Sequence, residues 1–173
     1  MKIVLIGYMG SGKSAVGKHL ASMLKIDFKD LDNEIETIEK QSIAQLFSKK
    51  GEIYFRKTEK DILKTVLDTE NDFVLATGGG TPCYGDIMDL LLNDKSILTI
   101  YLRSSIPVLT ERIFPKKSER PLISHIDTKE NLREFISKHL FERSQFYNRA
   151  SLTFNIEEKT ISEIVAEIIL ELF

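Results

Sequence analysis

The chain has no tryptophan, a single cysteine and four prolines among its 173 residues, and no apolar stretch approaches the length of a membrane-spanning helix. Each shortage excludes something. With Cys83 alone no internal disulfide can form, and such usage fits a reducing compartment. The apolar run after Lys2 is shorter than the core of a secretory signal, so a cytoplasmic location is expected. Neither sign of charge is in excess. The 24 basic residues stand against 26 acidic ones for a net charge of −2, which announces neither a nucleic-acid face nor a polybasic membrane patch. An anionic ligand must therefore be held by particular arginines and lysines. His19, His125 and His139 share no metal-ligand spacing with one another or with Cys83, so no catalytic role is assigned to them, and Cys83 reads as a small buried thiol. A chain of this length that is 42% hydrophobic has material for one well-buried core, with no composition break to suggest a second domain.

What glycine there is, nine residues in all, is concentrated. Gly7-Tyr8-Met9-Gly10-Ser11-Gly12-Lys13-Ser14 fits G-x-x-x-x-G-K-[ST], follows the apolar run Ile3-Val4-Leu5-Ile6 and precedes a helical pattern. That context matters. The glycines let successive backbone N–H groups line a concave nest, Lys13 can reach outer phosphates, Ser14 can ligate Mg²⁺, and the helix that starts there adds its positive dipole end. A nucleoside triphosphate site is expected, with Gly10, Ser11, Gly12, Lys13, Ser14 and the adjoining Ala15 along the nucleotide. Mg²⁺ arriving with ATP is the only metal expected.

Val16, Leu20, Met23 and Leu24 predict an amphipathic helix over 13–25. A short strand is expected near Asp27–Lys29, helical turns through Ile35 to Phe47, and a longer helix over 52–67. Phe73–Thr77 and Ile97–Leu102 are apolar throughout, as in strands buried on both faces of a parallel sheet. Further helices are expected over 86–92, 107–113 and 129–148, with a last strand at Leu152–Asn155. Thr160 with Glu163 forms a capping-box pattern at the start of a C-terminal helix. Strands alternate with helices from end to end, which predicts an α/β fold with a mainly parallel sheet between helical layers. Prolines and charges interrupt the periodicity over 114–127, the composition of a mobile surface loop.

Ligands of open parallel sheets bind beyond the carboxyl ends of the strands, so the residues just after each apolar run are the candidates. Asp30 and Asp32 follow the second strand; they can serve a Mg²⁺ shell and a substrate hydroxyl, or form a solvated acidic turn. Gly78-Gly79-Gly80 follows the third and removes every side chain from that rim, letting backbone approach a ligand. Arg56 lies near a predicted helix start, where a cation opposes the dipole; that favours a ligand role, while taken alone the residue still reads first as part of a solvated helix face. Arg120 lies in the charged loop, with Arg112 and Arg143 in the flanking helices. Phosphoryl transfer is catalysed by positioning and charge neutralisation, and an arginine delivered by a closing loop suits it.

Together these positions resemble the shikimate kinase family over nearly the whole chain. The resemblance is carried by the Gly7–Ser14 loop, Phe28-Lys29-Asp30-Leu31-Asp32 with Ile35-Glu36, Gly51-Glu52 with Phe55-Arg56 and Glu59, Gly78-Gly79-Gly80, Arg120-Pro121-Leu122, and Glu142-Arg143 with Tyr147. It implies a three-layer P-loop kinase fold similar to nucleoside monophosphate kinases, with a five-stranded parallel sheet in the order 2-3-1-4-5. It further implies a lid over roughly 114–127, an acceptor region over roughly 30–60, and transfer of the γ-phosphoryl of ATP to the 3-hydroxyl of shikimate, toward chorismate and the aromatic amino acids. By the same resemblance Asp32, Arg56, Gly79 and Gly80 with neighbouring Gly78, and Arg143 hold shikimate. Ser14 and Asp30 serve Mg²⁺, and Lys13 and Arg120 contact phosphates, with Arg112 on the nucleotide side. Lys13, Asp32 and Arg120 are thereby the expected catalytic residues, in a monomer that binds neither nucleic acid nor membrane. Two departures stand out: Ala15 replaces the usual Thr after the loop serine, and Lys40 replaces a common Gly between two helices. A kinase for another hydroxy acid such as gluconate, or a nucleotide-controlled binding module, is the alternative.

Overall fold

The computed structural model describes residues 1–173. Its strands are β1 (Lys2–Ile6), β2 (Asp27–Asp30), β3 (Phe73–Ala76), β4 (Ile97–Arg103) and β5 (Leu152–Asn155). The helices are α1 (Lys13–Leu24), α2 (Leu31–Glu39), α3 (Ile43–Leu67), α4 (Ile87–Asn93), α5 (Ile106–Ile113), α6 (Lys129–Tyr147) and α7 (Ile161–Leu172). The strands form one five-stranded sheet in the order β2-β3-β1-β4-β5, and every neighbouring pair is parallel. That is the expected three-layer α/β arrangement.

The apolar run of β1 shows why two layers of helix are needed. Successive side chains of a strand point to opposite faces. Val4 and Ile6 join a core beneath α3, α4, α5 and α6, while Ile3 and Leu5 join a second core beneath α1 and α7. All four are fully buried, and each contributes about 1.5–3 kcal/mol relative to exposure.

Local chemistry sets the connections that matter for the site. Asp30, the last residue of β2, accepts from the Asp32 backbone N–H through its side chain and so caps α2. Lys40 ends α2 in the left-handed region (φ 54°), so the turn forms there without the glycine common in the family. The turns expected around residue 47 and the helix expected over 52–67 are limbs of α3, which bends at Gly51 (φ 80°, ψ 172°). Ser42 opens α3 with a capping box, and Thr160 opens α7 with the one expected from sequence. The 114–127 segment is more tied down than its composition suggests. It begins as a 3₁₀ helix, Phe114–Glu119, and buries Ile123 and Ile126 in the larger core.

Candidate active site

Parallel strands place all their carboxyl ends on one edge of the sheet, and the candidate residues gather there. The end of β1 runs into the glycine loop, where Gly10 (φ 78°) and Gly12 (φ 83°) take backbone conformations that side chains resist. Gly12 sits directly before α1, so the loop presents the N-terminus of that helix. Ser11 is buried there with an unpartnered hydroxyl. Lys13 is buried too, its ammonium donating to the carbonyls of Gly7 (2.8 Å) and Tyr8 (3.0 Å). An ammonium has three donors, which leaves one for a ligand. Burial pushes its pKa down to about 8 against the opposing pull of Asp32 and Asp30.

Ser14 Oγ donates to Asp30 Oδ2 at 2.6 Å. The proton is thus engaged and the oxygen lone pairs are free, beside a carboxylate: a hard-oxygen donor set that fits Mg²⁺. No cluster of three or more His, Cys, Asp or Glu is arranged to hold a metal by itself. Ala15 is exposed in the first turn of α1, next to Ser14. Arg112, on α5, directs Nη1 toward the Gly10 carbonyl at 3.5 Å.

Across from the loop lie Asp32, Arg56, Arg143 and the glycine rim. Burial, together with the nearby negative charges of Asp30 and Glu59, raises the Asp32 carboxyl to about 6. A Cβ built at Gly78 would lie 3.3 Å from Asp32 Oδ1, and one at Gly79 would lie 3.1 Å from the Met9 backbone nitrogen. The rim therefore joins the carboxylate to the nucleotide loop with no side chain between. At Gly80 an added Cβ would meet Arg56 Nη2 at 2.7 Å and Arg143 Nη2 at 3.2 Å. Two guanidinium groups thus converge on one point, and Arg143, itself buried, pairs with no carboxylate of the protein. Arg120 follows the 3₁₀ helix of the 114–127 segment; its Nη1 is buried without a partner, and its charge reaches Lys13 and Tyr8.

The structure also brings in residues that single-sequence reading left without a role. Glu59 is buried and accepts from Arg56 Nη1 (2.7 Å) and Thr81 Oγ1 (2.6 Å), holding the arginine from below. Its i, i+3 spacing from Arg56 was the available signal. Tyr84 lies under the Arg56 guanidinium, 3.9 Å from ring centroid to Cζ, and donates to Glu52 at 2.7 Å. The Tyr147 hydroxyl donates to the Gly79 carbonyl at 2.5 Å. Cys83 is half-buried rather than fully so, and burial raises its thiol to about 11, which disfavours the thiolate form.

A family profile described as shikimate kinase matches residues 9–173. Among curated proteins, the shikimate kinase of Flavobacterium johnsoniae is 44% identical over 168 residues, covering 97% of this chain and 96% of the relative. Among solved structures, the shikimate kinase of Bacteroides thetaiotaomicron superposes with a TM-score of 0.90 at 34% identity, covering 99% of this chain and 98% of the other. A shikimate kinase from Acinetobacter baumannii in complex with shikimate superposes with a TM-score of 0.85 at 29% identity, covering 99% and 92%.

Proposed function

The chain belongs to the shikimate kinase family, and we propose how its residues carry out the reaction, transfer of the γ-phosphoryl of ATP to the 3-hydroxyl of shikimate. The observation that carries this reading is the pair of guanidinium groups over Gly80, next to Asp32 and facing the glycine loop. Shikimate is a carboxylic acid with ring hydroxyls. Arg56 and Arg143 take the carboxylate, for which a guanidinium fork is the suited donor. Asp32 accepts hydrogen bonds from the ring hydroxyls and turns the attacking one toward the donor loop. The bare rim of Gly78, Gly79 and Gly80 lets the ring lie close.

On the donor side the N–H groups of Gly10, Gly12 and Lys13 and the unpartnered Ser11 hydroxyl face the phosphates, with Ala15 and Arg112 flanking the nucleotide. The Lys13 ammonium and Arg120 guanidinium lie where charge gathers on the transferred group. Ser14 and Asp30 would hold Mg²⁺, which when bound would supply charge neutralisation to the phosphates. A loose phosphoryl-transfer transition state asks little of a base. Asp32 therefore contributes mainly by orienting the nucleophile, and receives its proton as transfer completes. Residues 114–127 act as the lid that carries Arg120 and keeps water from competing with the acceptor. No helix is long and apolar enough to cross a membrane.

An ADP-release assay over a panel of acceptors tests this reading. Release that depends on shikimate is expected, and equal release with gluconate or a nucleoside monophosphate would overturn it.

A further inference from the structure

Three polar residues of α6 fall four apart on one face: His139, Arg143 and Tyr147. The outer two are fastened to the rim of the site. Tyr147 donates to the Gly79 carbonyl, and His139 Nδ1 lies 2.9 Å from the Tyr8 hydroxyl in the nucleotide loop. Arg143 stands between them, its guanidinium carbon 5.9 Å from the Tyr8 ring centroid.

The direction of the His139 bond follows from counting partners. Tyr8 is 1% exposed, and His139 is the one side chain to which its hydroxyl is hydrogen-bonded. Were His139 the donor, the buried Tyr8 O–H would be left with no acceptor, so Tyr8 donates and Nδ1 accepts. Burial and the positive charge of Arg143 keep the imidazole neutral, with its pKa pushed down to about 4, so the accepting lone pair is present at neutral pH. The rings of Tyr8 and Phe135 meet His139 edge-on, at 5.6 and 5.2 Å between centroids, and fix its plane. Tyr8 is itself anchored, since its carbonyl accepts from Lys13 Nζ and from the Ser11 backbone N–H at 3.2 Å.

We propose that His139 is a positioning residue for Arg143, and that the Tyr8–His139 hydrogen bond sets the register of α6 against the nucleotide loop one helical turn before that arginine. The inference rests on the reading that Arg143 holds the shikimate carboxylate. A guanidinium displaced by a fraction of an ångström loses the bidentate geometry that carboxylate recognition needs. The hydroxyl of Tyr8 therefore contributes to shikimate affinity without touching shikimate.

Tyr8→Phe keeps the ring and its packing and removes only the hydroxyl. It and His139→Leu are each expected to raise the KM for shikimate roughly three- to tenfold, the worth of one buried hydrogen bond, with kcat and the KM for ATP changed less than about twofold. Two partners of one bond lose it once. The double variant is thus expected to match the worse single variant, whereas independent roles would multiply the two losses and overturn the proposal. His139→Asn, whose amide oxygen falls near the place of Nδ1, is expected to recover most of the loss in His139→Leu. An unchanged shikimate KM in Tyr8→Phe, or a parallel fall of every kinetic constant, would also overturn it. Arg143→Ala separates the two readings. If it leaves the shikimate KM unchanged, the carboxylate assignment fails; if it raises that KM while Tyr8→Phe does not, only the positioning role fails.

Discussion

The guanidinium groups of Arg56 and Arg143, from different helices, meet over the α-carbon of Gly80, where a methyl group would contact both. Gly80 has an ordinary φ of −87°, so its backbone does not require glycine; the space does. The atoms in the way are the ends of flexible side chains. Gly80→Ala is therefore expected to fold normally and to splay the clamp, raising the KM for shikimate about tenfold or more while the KM for ATP stays within about twofold. Steady-state kinetics on both substrates, alongside a melting curve, checks this.

Asp32 has a folded-state pKa of about 6, above its ordinary value. A carboxyl raised in this way contributes stability that is fully present below its unfolded pKa and is lost as pH rises through the folded one. At neutral pH its ionised form costs up to about 3 kcal/mol, since each pK unit is worth about 1.36 kcal/mol. Asp32→Asn is accordingly expected to raise the melting temperature above pH 7 and to show no such gain below about pH 4. Turnover is expected to fall by at least about a hundredfold, because the amide no longer accepts as a charged partner of the hydroxyls. A destabilised variant at pH 7.5 would refute the assignment of strain to this carboxylate.

The two shifted groups bear on the pH dependence of catalysis through different substrates. In the proposed mechanism ionised Asp32 orients the acceptor, so kcat/KM for shikimate is expected to fall as pH drops through about 6. Lys13 is held down to about 8 and must be charged to meet phosphate, so kcat/KM for ATP is expected to fall as pH rises past that value. At saturating ATP the alkaline limb should move upward, because bound phosphate favours the ammonium. A profile flat between pH 5 and 9, spanning both of these limbs, would contradict both roles.

Ser14→Ala removes the hydroxyl that bonds Asp30 and would ligate Mg²⁺. The concentration of Mg²⁺ giving half-maximal rate is expected to rise about tenfold or more, with a small change in melting temperature because the bond is solvent-exposed. Chelation of Mg²⁺ in the wild-type protein is expected to abolish ADP release.

Much of the fold was legible because its cause is local. β1, β3 and β4 announced themselves as uninterrupted apolar runs, and the Thr160–Glu163 box marked the start of α7. The joined course of α3 was not legible, since Gly51 interrupts the pattern and yet is absorbed as a bend at positive φ. The 114–127 segment also misled: its charge and proline concealed Ile123 and Ile126, which reach the core through tertiary contact that no period reveals. In the site, the glycine loop was readable by spacing alone. Glu59, Tyr84 and the Tyr8–His139 pair were not, because their meaning lies in partners distant along the chain, brought together only where the strands end.

The proposed contact between the acceptor and Arg56 and Arg143 is tested most directly by comparing shikimate with its carboxamide analogue, in the wild-type protein and in Arg143→Ala. Bidentate recognition of the carboxylate predicts that the wild type prefers the acid by about a hundredfold or more in kcat/KM, and that most of this preference disappears in Arg143→Ala. A preference that survives intact in Arg143→Ala would contradict an acceptor pocket built on the paired guanidinium groups.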